Sequence, residues 1–172
     1  MRKLFLGLFL AVVATAAFAQ NNDKIIADSE DAKSAFLKDD PSMSGLFDAA
    51  YGYIILPNVG KGGLLVGGAA GNGTVYQGGE LVGFTKMTQV TIGFQLGGQT
   101  YSEVVFFEDE RAFDRFKQNK IEMSAQVSAV AAASGASANA KYVEGVAVFT
   151  RSKAGLMYEA SVGGQQFKFT AK

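Results

Sequence analysis

Apolar residues recur along this chain at two different periods, and the change near Tyr53 separates the elements they predict. Between Asn22 and Lys38, Ile25, Ile26, Ala32, Phe36 and Leu37 fall at helical spacing, with acids toward the start and Lys38 near the end, as the helix dipole favours. Asp40-Pro41 then reads as a cap followed by proline at a first helical position. Met43, Leu46, Phe47 and Ala50 share one face of this second helix, and Gly52 can end it.

From Tyr53 onward the period is two. Val90, Ile92, Phe94 and Leu96 alternate with Thr91, Gly93 and Gln95, and Leu156, Tyr158, Ala160 and Val162 alternate with Met157, Glu159 and Ser161. Gly71-Asn72-Gly73, Gly78-Gly79, Gly97-Gly98 and Gly163-Gly164 read as turn signals, because each supplies the positive φ that tight hairpins need. One helical segment interrupts the meander. It follows the apolar run Val104 to Phe107 and extends from Glu108 to Lys117, acidic first and basic last, with Phe113 and Phe116 on one face. A further strand, Met123 to Ala131, carries small side chains on one side. The pattern predicts an α+β fold: a mainly antiparallel, strongly curved sheet, barrel- or sandwich-like, with two or three packed helices.

The first residues change the picture of where such a domain works. Arg2 and Lys3 precede an apolar run from Leu4 to Phe18, and Ala17-Phe18-Ala19 has the small-x-small form of a signal-peptide cleavage site. The run is shorter than the roughly 20 residues of a spanning helix. Residues 1–19 are therefore expected to be a leader, 20–49 a helical segment and 50–172 the β-rich part of the same domain, in a secreted, periplasmic product. Cleavage leaves 153 of the 172 residues, enough for one core. Without cysteine there is neither a disulfide nor a lipid-bearing thiol after the leader. The mature chain would carry a formal charge of −2, which gives no general pull toward nucleic acid.

Candidate chemistry narrows quickly. The glycine-rich stretch Val59 to Gly73 invites a phosphate-loop reading, but Lys61 is followed by Gly62 where that motif needs Ser or Thr after the lysine. Gly62, Gly63, Gly67, Gly68, Gly97, Gly98, Gly163 and Gly164 are read instead as structural glycines that let strands turn and pack closely. Histidine is absent, which removes the usual near-neutral general base and imidazole metal ligands. Glu108, Asp109 and Glu110 stand at a helix start, where carboxylates cap without any catalytic role. No catalytic residue, metal or cofactor is expected, and the protein is read as a non-enzyme. The cations are the remaining lead: Arg111, Arg115, Lys117 and Lys120 along and after one helix, Arg151 and Lys153 at a hairpin tip, and Lys168 on the last strand. Clustered cations of this kind bind anionic headgroups.

Four stretches, "AYGYIILPNVGKGGLLVGGAAGNG", "VTIGFQLGGQTYSEVVFFEDERAFDRFK", "SAVAAASGASANAKY" and "GVAVFTRSKAGLMYEASVGGQQFKF", occur in an order that resembles the SYLF family of lipid-binding domains, in particular its exported bacterial members. The resemblance implies one β-rich domain with helices and binding to phospholipids, with phosphoinositides bound and, in yeast members, actin. The leader would separate this chain from cytoskeletal filaments, so actin is not an expected partner. Asp23, Asp28, Glu30 and Asp31 make the N-terminal segment acidic, where eukaryotic members are described with a basic helix. The expected partner is a phospholipid or membrane surface. The alternative is a structural or stress-related envelope protein acting through protein contacts or self-association.

Overall fold

The computed structural model describes residues 2–63, 66–92, 99–118, 137, 140–152, 155–158 and 164–172, of which 2–20, 63, 66, 67, 91, 92, 99 and 155–158 are described by their backbone alone. The elements are α1 (Arg2–Asp39), α2 (Met43–Ala49), β1 (Gly52–Gly63), β2 (Val66–Gln77), β3 (Glu80–Ile92), β4 (Gln99–Phe107), α3 (Glu110–Lys117), β5 (Val146–Ser152), β6 (Gly155–Tyr158) and β7 (Gln165–Ala171). All seven strands form one antiparallel sheet in the order β6-β5-β4-β1-β2-β3-β7. The α+β class and the antiparallel character follow the sequence pattern.

The helix expected over Asn22–Lys38 is the second half of a longer one, because no proline interrupts the chain before Pro41. Among the described residues no helix is long and apolar enough to cross a membrane. Ser29, Ala32 and Phe36 form the buried stripe of α1, three and four residues apart. α2 starts later than the Asp40-Pro41 pair suggested, at Met43, and buries Met43 and Phe47. Asp40 shapes the approach to it, accepting from both the backbone N–H and the hydroxyl of Ser42. α3 begins at Glu110, with the Asp109 carboxylate accepting from the Ala112 N–H at 2.8 Å. That is the capping role expected of this acidic cluster.

The glycine-rich stretch is a β-hairpin and does not lead into a helix. Gly62 pairs with Gly68 and Gly63 with Gly67 as β1 turns into β2. Gly71-Asn72-Gly73, expected as a turn, lies inside β2, paired with β1 on one side and β3 on the other. Glycine is needed there for space: a β-carbon on Gly73 would run into the Ile55 carbonyl oxygen, beside the register shift between Ile55 and Asn58. Gly78-Gly79 is a turn as expected, both residues at positive φ between the paired Gln77 and Glu80. Gly164 takes a φ of +79° just before β7. Gly97, Gly98, Gly163 and the strand expected over Met123–Ala131 lie outside the described residues, as do Phe94, Leu96, Ala160 and Val162 of the two alternating runs.

Successive side chains of a strand face opposite ways, so Phe106 and Phe107 separate two aromatic layers. Phe47 of α2 meets Tyr53 and Phe106 on one face of the sheet, with ring centroids 5.1 and 4.9 Å apart. Phe113 and Phe116 of α3 meet Phe107 on the other, and Phe116 also reaches Phe167 and Phe169 of β7. β1, covered on both sides, is buried continuously from Gly52 to Pro57.

The sheet is open. β6 has four residues, and among the described residues no ladder joins it to β7 at the other end of the order, so the barrel- or sandwich-like closure expected from the sequence is not formed. It bends across α3, since Gln165 of β7 donates to the Glu103 carboxylate of β4 at 2.9 Å although three strands lie between them. Neighbouring strands sit about 4.8 Å apart, so a flat sheet would hold these two too far apart to bond.

Candidate functional site

The cations chosen from sequence do not converge on one site. On α3, the Arg111 side chain is 86% exposed, with Asp109 4.0 Å away at the limit of an ion pair. Arg115, four residues on, turns inward and donates to the carbonyl of Glu144. Glu144 and Gly145, both at positive φ, form the tight turn that Val143 and Val146 close, so Arg115 ties α3 to the start of β5. Lys117 pairs with Asp114 at 2.8 Å and lies 5.2 Å from the Phe113 ring centroid. The helix that looked like a cationic face thus leaves one of its three described cations largely free of protein partners.

Arg151 is on the opposite side of the molecule from α3. Its neighbour Thr150 is buried while Arg151 reaches Asp39 at the end of α1, with Nε donating to the carboxylate at 2.7 Å. It clamps α1 to β5. Lys120 and Lys153 lie outside the described residues. Lys168 is exposed on β7 and stands directly opposite another exposed lysine on β3, Lys86. Sequence reasoning passed over Lys86. It is a lone cation in an alternating strand, and only the β3–β7 pairing, across some eighty positions of chain, places it beside another.

The buried titratable groups are structural in their surroundings. Burial works to raise the Asp40 pKa, but hydrogen bonds from the Ser42 and Ser137 hydroxyls and backbone N–H groups outweigh it and hold the carboxyl below its ordinary value. Ser137 thereby fastens a point 97 residues away to the α1–α2 junction. Burial raises the Tyr53 pKa, with Asp48 adding to it, and burial likewise raises Tyr76, whose ring stacks on Tyr53 at 4.9 Å. The Lys33 ammonium sits over Phe47 and Tyr53, 4.5 and 5.2 Å from the centroids, and donates to the Tyr53 hydroxyl. This cation secures α1 to the sheet and α2.

Among the described residues no group of three or more acidic residues is placed to hold a metal ion. What the described surface offers is charge on a strand face, with Lys86 and Lys168 side by side, and a separate exposed arginine on α3.

The comparisons with known proteins agree with the segment order. A family model described as Ysc84, Las17-binding protein actin regulator, matches residues 88–171. That span takes in the end of β3, then β4, α3 and β5 to β7. The chain is also 31% identical over 130 residues to beta cell expansion factor A of Aeromonas veronii. The alignment covers 74% of this chain and 49% of that protein, so the chain spans about half the length of this relative. Three of the four stretches that carry the resemblance, those beginning at Val90, Ser128 and Gly145, fall within the matched span, and the chain carries a domain of the Ysc84, or SYLF, family.

Proposed function

We propose that the protein is exported through a cleaved leader and binds membranes without catalysis, by contacts to anionic phospholipid headgroups. Family membership carries this reading, since SYLF domains bind phospholipids in the eukaryotic members. The leader pattern, Arg2-Lys3 before an apolar run and Ala17-Phe18-Ala19, supports export to the periplasm. Of the cations chosen from sequence, Arg111 on α3 and Lys168 on the sheet remain exposed and are available to headgroups. Arg115, Lys117 and Arg151 are engaged within the fold.

The alternative, self-association through sheet edges, has less behind it. β7 ends the described sheet, but it turns Gln166, Lys168 and Thr170 to solvent, and a lysine on an edge strand discourages pairing. The test is flotation of the leaderless protein, recovered from the periplasm of an expression host, with anionic and with neutral vesicles. Association with phosphatidylglycerol vesicles that weakens as salt rises is expected. Failure to float with anionic vesicles at low salt would remove the function.

A further inference from the structure

The antiparallel register aligns exposed side chains into rows across four strands. Directly paired residues share a face, so Asn58, Asn72, Lys86 and Lys168, from β1, β2, β3 and β7, form one row. Gly60, Ala70, Thr88 and Gln166 form the next, and Gly62, Gly68 and Val90 a third. The residues between them, Val59, Ala69, Met87, Gln89, Gln165 and Phe167, are buried on the other side. This face is therefore a consequence of strand alternation.

Three features of the face point the same way. First, Lys86 and Lys168 are opposed in register, their Cα atoms about 4.5–5.5 Å apart. Opposed like charges destabilise a strand pair, so the arrangement favours an anion that both ammonium groups can reach. The Asn72 amide lies next in the row, and Asn58 beyond it donates to Asp28 of α1. Asp28 already holds Lys24 at 2.6 Å, and none of the residues forming the three rows is acidic. Second, the next row is Gly60, Ala70, Thr88 and Gln166, so small residues and one neutral amide flank the ammonium groups on that side. Third, Val90 is 68% exposed, the large hydrophobic side chain most open to solvent among the described residues. It lies on the same face about 13 Å along β3 from Lys86.

We infer that this sheet face is the membrane-docking surface. Lys86 and Lys168 bind lipid phosphate between them and Val90 enters the apolar boundary beneath the headgroups. The inference rests on the lipid-binding reading above and chooses between its two exposed cationic places. Charge complementarity commits the occupant to an anionic phospholipid surface, and the exposed valine distinguishes that surface from a phosphate free in solution.

The test is flotation of the leaderless protein with phosphatidylglycerol vesicles, comparing wild type, the double variant Lys86→Gln/Lys168→Gln, and Arg111→Gln. Each lysine near an anionic surface changes partitioning by roughly fivefold, so the double variant should bind about 25-fold more weakly, with Arg111→Gln within about threefold of wild type. The double variant should keep or raise its thermal midpoint without lipid, which separates lost contact from lost fold. Wild-type binding unchanged by the double substitution, or abolished by Arg111→Gln alone, would overturn the assignment and leave membrane binding standing. No wild-type binding would overturn both. Soluble glycerol phosphate that displaces the protein at concentrations matching lipid phosphate would also overturn the surface in favour of a free-phosphate site.

Discussion

Gly73 has no room for a β-carbon, and Gly62 has open space around the same point. Both lie in one glycine-rich stretch, yet their neighbourhoods differ because Gly73 meets the Ile55 carbonyl next to a register shift, whereas Gly62 faces outward near the hairpin end. Gly73→Ala should destabilise the fold by about 3 kcal/mol or more, since the clash is with backbone and no flexible side chain can yield. Gly62→Ala should change stability by less than about 1 kcal/mol, and equilibrium denaturation of the two variants checks the contrast. Asp40 makes a prediction of opposite kind. Its folded pKa is depressed, so its contribution is present above the ordinary carboxylate value and disappears as pH falls through the folded one. Asp40→Asn should lower the thermal midpoint near pH 7 and differ progressively less from wild type as pH falls below the ordinary carboxylate value of 3.8.

At the scale of elements, α3 shows how local sequence and distant packing divide the work. Its start is set by Asp109, whose carboxylate caps the Ala112 N–H, and its position by Phe113 and Phe116 against the rings of β4 and β7. Asp109→Ala should cost about 1 kcal/mol, measurable by denaturant unfolding, with the sheet intact. This helix, the Gly78-Gly79 turn and the burial of Ala32 and Phe36 on α1 were legible in the sequence because their determinants lie within a few residues of one another. The placement of Gly71-Asn72-Gly73 inside β2 was not legible, because pairing with β1 on one side and β3 on the other decides it. The same limit hid Lys86, which gains meaning only from its pairing with Lys168. It also made Arg151 look available, although Asp39 of α1 holds it.

For the whole molecule, the order of strands decides which surface is free. Helices α1 and α2 cover one face of β1 at its Tyr53 end, and α3 with the bend toward β7 covers the other. Among the described residues, the far ends of β2 and β3, together with β7, keep an exposed face of small residues, Gln166, two lysines and Val90. A family relationship alone would not have placed a membrane contact there, and the charge count along the sequence pointed first to α3. The chain contains no cysteine, so a single Val90→Cys or Arg111→Cys substitution carries one environment-sensitive fluorophore. On adding phosphatidylglycerol vesicles, the label at position 90 should shift to the blue and gain intensity while that at 111 stays as in water. A shift at 111 with none at 90 would contradict the account.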